Sequence, residues 1–212
     1  MKENYQIVLE NIINENEQMR KVPKLLLHSC CAPCSSYCME YLSKYFDITL
    51  YFYNPNISKP EEFDKRANEL TRLVNSMPLT RPINVVIEHY EPKEFYEIAK
   101  GLENEPERGK RCEKCFKLRL KCSAQYAQKN NFDYFTTTLS ISPHKDAQLL
   151  NEIGKELSMK YNIPYLFSDF KKKNGYKRSI ELSTEYNLYR QNYCGCIYSY
   201  KESLMTNRKK CN

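Results

Sequence analysis

Short apolar runs alternate along the chain with longer stretches in which apolar residues recur every three or four positions. The short runs are typical of strands and the longer amphipathic stretches of helices. Five strands are predicted, one beginning at Leu25 and the others at residues 48–53, 84–87, 132–138 and 165–167. Helices are predicted near the N-terminus, around Ile7 to Ile13, and at residues 38–45, 61–74, 94–100, 115–128 and 146–161.

This alternation of strands and helices implies a parallel sheet with helices on both faces. We therefore predict an α/β fold, namely a parallel-sheet, Rossmann-like (HUP-like), three-layer domain. A length of 212 residues is enough for one core. After residue 168 the pattern becomes basic, tyrosine-rich and less periodic, so we interpret residues 1–212 as a single domain, with a core at about 22–168 and a C-terminal cap at about 169–212.

A cluster of cysteines follows the first predicted strand. Cys30, Cys31 and Cys34 come directly after the apolar run, and Pro33 suits the first turn of a following helix. Ligands of α/β sheets bind where strands give way to helices, and helix N-termini favour anions such as thiolates. Buried structural cysteines are the alternative, but two adjacent thiols with a third close by favour a functional site.

Composition limits the cellular context. Ten cysteines are many for this length, and the charged N-terminal stretch lacks the apolar core of a signal peptide. No run is apolar enough to span a membrane, so we expect a cytoplasmic protein without a membrane partner. Under those conditions close cysteine pairs indicate metal or redox sites and not a disulfide framework. The net charge of +7 suits an acidic partner such as RNA, but it is also common in ordinary enzymes.

A second cysteine pair, Cys112 and Cys115, has C-x-x-C spacing after a charged loop. Together with Cys30 and Cys31 it gives four thiolates, a set that suits tetrahedral zinc or a [4Fe-4S] cluster. We expect adjacent cysteines to point in different directions, which favours the cluster with its separated corners. Cys34 is left for a second metal or for substrate contact, if it is not a bystander.

Three further cysteines are not expected to be ligands. We interpret Cys38 and Cys122, which lie further along predicted helices, as core residues, and Cys211 near the C-terminus as inert.

The segment Cys194-Gly195-Cys196 is a different kind of site. The glycine allows the tight backbone that would join these two thiols, and so short a disulfide ring would be strained and easily reduced. Such a pair suits a catalytic or regulatory dithiol that carries two electrons. Two buried thiols, or two further metal ligands, are the alternatives.

Phosphate-binding motifs are missing from the sequence. The chain has five glycines, no G-x-G-x-x-G and no glycine-rich phosphate loop, and cysteines occupy the place where ATP pyrophosphatases carry their serine-glycine-glycine loop. We therefore do not expect nucleotide-dependent chemistry.

A basic run in the tail is a candidate RNA contact. Lysines and an arginine flank a predicted turn at Asn174-Gly175-Tyr176, a pattern in which cations bind phosphates and an aromatic ring stacks on an extruded base. A solvated charged face is the alternative. Because the run leads into the segment around Cys194, we predict substrate contacts from Lys172, Lys173, Tyr176, Lys177, Arg178 and Arg190.

Four motifs together resemble the QueH-type epoxyqueuosine reductases. They read LLHSCCAPC (residues 26–34), RCEKCFKLR (111–119), FTTTLSISPHK (135–145) and LYRQNYCGC (188–196). The four motifs occur in the same order as in that family. The resemblance covers most of the chain, except the residues before Val22 and the last few. This resemblance implies a tRNA-modifying oxidoreductase of queuosine biosynthesis, which removes the epoxide oxygen of epoxyqueuosine at the anticodon wobble position to give queuosine.

The resemblance also implies roles for individual residues. Cys30, Cys31, Cys112 and Cys115 would bind an iron–sulfur [4Fe-4S] cluster, and Cys194 and Cys196 would form a redox-active disulfide. Loss of the epoxide oxygen needs a Lewis acid or a proton donor. Candidates for donor or orienting roles are His144, Lys145, Asp146 and Tyr193, and a second iron at Cys34 would be a Lewis acid. A queuosine-family tRNA and an unidentified electron donor would be the partners.

Two other functions compete with this one. A zinc-stabilised nucleic-acid-binding module would need neither Cys34 nor the Cys194–Cys196 pair. A cluster-dependent tRNA thiolation enzyme would need a sulfur donor and usually ATP. Brown protein that bleaches on reduction would distinguish the iron–sulfur reductase from the colourless zinc module.

Overall fold

A computed structural model describes residues 3–210, with side chains described up to residue 205. Strands and helices alternate through this part of the chain, as the sequence pattern predicted. The strands are β1 (Lys24–His28), β2 (Asp47–Phe52), β3 (Asn84–Ile87) and β4 (Tyr134–Thr137). The helices are α1 (Tyr5–Gln18), α2 (Ala32–Leu42), α3 (Pro60–Ser76), α4 (Lys93–Ala99), α5 (Lys110–Lys129), α6 (Ala147–Tyr161), α7 (Gly175–Glu185) and α8 (Ile197–Lys210), with a 3-10 turn at Thr138–Ile141 after β4.

The strands form one parallel sheet in the order β3-β2-β1-β4. The central strand β1 pairs with β2 on one side and β4 on the other, so that Leu27 lies opposite Leu50 and Thr136. The all-parallel arrangement with helical crossovers confirms the predicted α/β class.

The side chains of β1 explain why helices cover both faces of the sheet. Successive strand residues point to opposite faces, so Leu25 and Leu27 enter one apolar core and Leu26 enters the other. Helices α1, α2, α3 and α7 contribute to the first core, whereas α5 and α6 build the second. The three layers that the sequence predicted are therefore present, with all three leucines fully buried.

The predicted fifth strand is wrong. Residues 165–167 are reduced to a single parallel bridge between Phe135 and Tyr165. Further along, the amide of Ser168 donates to Oδ1 of Asn151 on α6, and Nδ2 of Asn151 donates back to the carbonyl of Ser168. Because a side chain of α6 takes the hydrogen bonds that a strand partner would use, the chain leaves the sheet at that point.

The tail is more regular than its sequence pattern indicated. Helix α7 begins at Gly175, so the predicted turn at residues 174–176 is the start of a helix, with Asn174 in the left-handed region at φ 63°. A Cβ at Gly175 would lie 2.0 Å from the carbonyl oxygen of Phe170 and 2.4 Å from the ring of Tyr37. Only glycine therefore lets α7 approach α2 this closely.

Two helices begin earlier than predicted, which moves cysteines onto their first turns. Helix α2 starts at Ala32 directly after Cys31, with Pro33 in the first turn, and α5 starts at Lys110 just before Cys112. None of the helices within residues 3–210 is long and apolar enough to cross a membrane. Cys211 lies outside the described residues.

Candidate metal centre and active site

The cysteines lie where the order of strands in the sheet reverses. The chain leaves β1 towards β2 on one side, whereas β4 is added on the other side, and such a switch point opens a crevice at the carboxyl ends of the strands. Cys30 follows β1 and Thr138 follows β4, and the amide of Cys30 donates to the hydroxyl of Thr138 at 3.4 Å. The predicted location of the cysteine site is confirmed.

A cavity of about 590 Å³ opens at this crevice. Seven of the nine described cysteines line it, together with aromatic and basic side chains. They are Cys30, Cys31, Cys34, Cys112, Cys115, Cys194 and Cys196. The three cysteine segments that the sequence singled out therefore meet in one cavity.

Cys30, Cys31 and Cys34 form the densest group of thiols. Their sulfur atoms all lie within 4.8 Å of one another, close enough to hold a metal ion. The sulfurs of Cys30 and Cys31 are 3.7 Å apart, so the expectation that adjacent cysteines point in different directions is wrong. The sulfur-to-sulfur hydrogen bonds from Cys31 and Cys34 lower the pKa of Cys30, and donating to Cys30 raises the pKa of Cys31 to about 12.

Cys112 and Cys115 approach the cavity from α5 and are both buried. Burial raises the pKa of Cys112, and it raises the pKa of Cys115 to about 11 against the charge of Arg119. The amide of Arg108 donates to the sulfur of Cys112 at 3.3 Å. These two thiols share the cavity with Cys30 and Cys31 but do not belong to the compact group of three sulfurs around Cys34.

Three arginines that line the cavity are almost completely buried. Arg66, Arg111 and Arg119 are 2%, 2% and 4% exposed, and a charge so deeply buried needs compensating partners. Arg111 is held by Nη1 donating to the carbonyl oxygens of residues 102, 103 and 105, in the loop before α5. The positive charges of the three arginines offset the negative charges of thiolates. The cavity therefore suits an anionic metal–thiolate group.

The ring of His28, at the end of β1, joins this polar network. Its Nδ1 lies 2.8 Å from the hydroxyl of Thr137, and its Nε2 lies 3.1 Å from the carbonyl oxygen of Tyr53 and 3.3 Å from Nε of Arg119. Burial, together with the charge of Arg119, lowers the pKa of His28 to about 3. His28 is therefore a neutral, structural bridge between strands at neutral pH.

The Cys194-Gly195-Cys196 segment is fixed to α3 and to the loop before it. Nη1 of Arg66 donates to the carbonyl of Cys194 at 3.1 Å, and the amide of Ser58 donates to the carbonyl of Gly195 at 3.1 Å. Gly195 has φ 120°, and a Cβ there would lie 3.0 Å from Ile57, so the turn requires glycine. The two sulfurs are 3.9 Å apart and unbonded.

The two thiols of this pair differ in acidity. The hydrogen bond between the two sulfurs and the charge of Lys145 lower the pKa of Cys194, whereas the same hydrogen bond raises the pKa of Cys196. Burial alone would lower the pKa of Lys145. The negative charges of Cys194 and Glu107 outweigh that effect, so the pKa of this lysine is raised. Cys194 is thus the thiol with the greater thiolate character, which is the reactive form.

Three of the four residues predicted as donor or orienting groups line the cavity. His144 is exposed, with Nδ1 3.1 Å from Nη2 of Arg108. Lys145 forms an ion pair with Glu107, 3.3 Å from Nζ to Oε1. Tyr193 lines the cavity as well, whereas Asp146 caps α6 by accepting from the amide of residue 148, which gives it a structural role.

The predicted basic contacts divide into two groups. Tyr176 and Arg190 line the cavity, whereas Lys172 and Lys177 are exposed and lie close to Tyr176 in the sequence. Other cations of the run have acidic partners within the protein. These ion pairs are Lys171 with Asp169, Lys173 with Glu10 and Arg178 with Glu40.

Sequence reasoning did not find the buried arginines or Asn54. Arg111 and Arg119 stood inside a recognised motif, but only the cysteines of that motif were assigned a role. Asn54 is 2% exposed and bridges Arg119 to the carbonyl of Ser29. The spacing of Glu62 and Arg66, one helical turn apart, was the available signal for Arg66.

Comparison with known proteins agrees with this site. A sequence model described as epoxyqueuosine reductase QueH matches residues 25–202. The chain belongs to the QueH family. It is 46% identical over 200 residues to the epoxyqueuosine reductase QueH of Staphylococcus epidermidis, covering 92% of this chain and 84% of the relative.

More distant relatives carry the same description. The epoxyqueuosine reductase QueH of Streptococcus pyogenes is 43% identical, with 93% of this chain and 78% of the relative covered. That of Thermotoga maritima is 36% identical, with 84% of this chain and 91% of the relative covered. The resemblance drawn from four motifs is therefore confirmed, and the QueH match spans every cysteine that lines the cavity.

Proposed function

We propose that this chain is an epoxyqueuosine reductase that converts epoxyqueuosine to queuosine at the wobble position of a tRNA anticodon. The observation that carries the proposal is the meeting of seven thiols and three buried arginines in one cavity at the switch point of the sheet, in a chain of the QueH family. Thiols in this number suit reduction and metal binding.

The reaction needs two electrons and two protons. Both carbon–oxygen bonds of the epoxide break, a carbon–carbon double bond forms, and the oxygen leaves as water. Cys194 and Cys196 can supply these equivalents, because conversion of two thiols to one disulfide releases two electrons and two protons. An external reductant then restores the dithiol, and the 3.9 Å between the sulfurs needs only a small movement for the bond to form.

The donor set fits a metal group. Cysteine thiolates are the usual ligands of iron–sulfur clusters, and Cys30, Cys31, Cys112 and Cys115 all line this one cavity. We assign Cys30, Cys31, Cys112 and Cys115 to a [4Fe-4S] cluster. When bound, such a cluster transfers electrons one at a time, at a potential set by burial and hydrogen bonding.

Cys34 remains as the ligand of a second metal, which we propose to be iron. Its sulfur completes the group of three with Cys30 and Cys31, but it is not one of the four thiolates assigned to the cluster. A metal beside the cavity would act as a Lewis acid on the departing oxygen. The positive charge of Arg119 favours the thiolate of Cys30, and that of Arg66 favours the thiolate of Cys31. Thiolates are the forms that bind metal.

The tRNA would reach the cavity over α7 and the segment that follows it. Tyr176 and Arg190 at the cavity offer an aromatic ring and a cation to an extruded nucleoside, and Lys172 and Lys177 offer charge to neighbouring phosphates. Acidic partners within the protein already engage Lys173 and Arg178, so we give them a smaller share of this contact.

The proposal is tested by anaerobic incubation of the purified protein with epoxyqueuosine-containing tRNA and a chemical reductant, followed by mass spectrometry of the released nucleosides. We expect queuosine to form at the expense of epoxyqueuosine, and protein stripped of metal by a chelator to be inactive. Absence of queuosine with iron-loaded protein would refute the function. Zinc in place of iron would favour a nucleic-acid-binding module.

A further inference from the structure

The hydroxyl group of Ser199 lies between the two sulfurs of the Cys194–Cys196 pair. Oγ of Ser199 is 3.4 Å from the sulfur of Cys194, to which it can donate, and 3.5 Å from the sulfur of Cys196, from which it can accept. One hydroxyl therefore completes a chain of hydrogen bonds from the thiol of Cys196 to the sulfur of Cys194.

The fold places Ser199 at this point. Cys196 directly precedes α8, and the backbone amide of Ser199, in the first turn, donates to the sulfur of Cys196 at 3.4 Å. That bond uses the main chain and remains when the side chain is changed. Substitutions of Ser199 can therefore separate the effect of the hydroxyl from that of the helix N-terminus.

Burial makes the hydroxyl hard to replace with water. Ser199 is 5% exposed and Cys196 is also 5% exposed, so solvent has little access to their contact. A hydrogen bond that is lost in such a place is not regained from water. The oxygen also lies 3.2 Å from the carbonyl oxygen of Cys196, so an ordinary bond within the helix competes for its single proton.

We infer that Ser199 is a positioning residue that stabilises the reduced, unbonded form of the Cys194–Cys196 pair. Its hydrogen bonds to both sulfurs exist while these are thiol and thiolate. When the S–S bond forms from this thiol and thiolate, two electrons and one proton leave, and both sulfurs become weak acceptors. Ser199 thus makes the disulfide easier to reduce, in the same sense in which stabilised thiols make a disulfide more oxidising.

This inference deepens the proposed function, because the pair it concerns is the proposed source of electrons. Its test does not depend on that function. The equilibrium of the pair with glutathione can be measured whether or not the protein reduces epoxyqueuosine. If wild-type protein makes no queuosine, the proposed function fails and the inference about Ser199 is still decided.

The experiment equilibrates the metal-loaded full-length chain with mixtures of reduced and oxidised glutathione under anaerobic conditions. In each mixture two protein thiols and one oxidised glutathione exchange with one protein disulfide and two reduced glutathiones. Differential alkylation and mass spectrometry of the peptide with Cys194 and Cys196 give the fraction oxidised. The variants are Ser199→Ala, Ser199→Thr and Ser203→Ala, and iron content is measured for each.

Ser203 is the matched control, because it lies one turn further along α8 and its hydroxyl donates to the carbonyl of Tyr200 at 2.7 Å. We expect Ser199→Ala to shift the equilibrium about two- to ten-fold towards the disulfide, the range of one hydrogen bond. Ser199→Thr keeps the hydroxyl and should match wild type, as should Ser203→Ala. The inference is overturned if Ser199→Ala shows no shift, a shift towards the dithiol, or a shift that Ser203→Ala or Ser199→Thr reproduces.

Discussion

Nη2 of Arg119 donates a hydrogen bond to Oδ1 of Asn54 at 2.5 Å. The side-chain Nδ2 of Asn54 donates in turn to the carbonyl of Ser29 at 2.9 Å, and Ser29 directly precedes Cys30. Arg119 belongs to α5, the helix that carries the second pair of proposed metal ligands. One buried asparagine thus connects the two segments whose cysteines must converge.

Replacing Asn54 with alanine should destabilise the protein and loosen its hold on metal. The change leaves the guanidinium of Arg119 and the carbonyl of Ser29 without their partner in a buried place, which should cost about 2–3 kcal/mol. Urea unfolding under anaerobic conditions measures the loss, and iron analysis follows the metal. Asn11→Ala, at an exposed position on α1, is the control. Equal stability of the two variants would show that the bridge contributes nothing.

Cys112→Ala and Cys115→Ala should each lose most of their iron and acid-labile sulfide and all reduction of modified tRNA, because a four-thiolate site is left with three ligands. The matched control is Cys122→Ala on the same helix, where the thiol packs beside apolar side chains and does not line the cavity. Full iron content in either test variant would remove that cysteine from the ligand set.

The double change of Lys172 and Lys177 to alanine should weaken tRNA binding and flatten its salt dependence. Each lysine that contacts a phosphate contributes about one unit to the slope of log affinity against log salt, so the slope should fall by about two. Filter binding across a salt series measures it. The control is Lys129→Ala with Lys155→Ala, two exposed lysines on α5 and α6. An equal slope in both double variants would make the basic run an ordinary solvated face.

Cys194→Ser and Cys196→Ser should keep their iron and visible spectrum, since neither residue belongs to the proposed ligand set. Both should lose multiple-turnover reduction, because serine cannot form the disulfide. Retained iron together with full turnover would give the pair a structural role. Loss of iron in either variant would instead make that cysteine a metal ligand.

The position of the first cysteine group could be predicted because it depends on local order in the chain. A buried strand that is closely followed by Cys30 and Cys31, and then a helix with Pro33 in its first turn, place thiols at the carboxyl edge of the sheet. The convergence of the three cysteine segments was harder to foresee from their spacing. This convergence depends on the strand order, and only the resemblance to the family motifs predicted that the three segments act together.

The polar network could not be predicted, because a charged residue that is buried is indistinguishable in sequence from one that is exposed. Arg66 and Arg119 are buried only because carbonyl and carboxamide groups from distant segments meet them. The same holds for the false fifth strand, where Asn151 on α6 takes the hydrogen bonds of Ser168. Such tertiary partners override local propensity.

The central claim is that the thiols of Cys194 and Cys196 deliver the electrons that remove the epoxide oxygen. A single-turnover experiment can decide this. Reduced, iron-loaded protein is freed of reductant and mixed anaerobically with an equal amount of epoxyqueuosine-containing tRNA. The reaction is then quenched with an alkylating reagent. Mass spectrometry then counts both queuosine and the Cys194–Cys196 disulfide. We expect one disulfide for each queuosine formed, whereas queuosine formed while both thiols stay free would mean that the electrons come from another source.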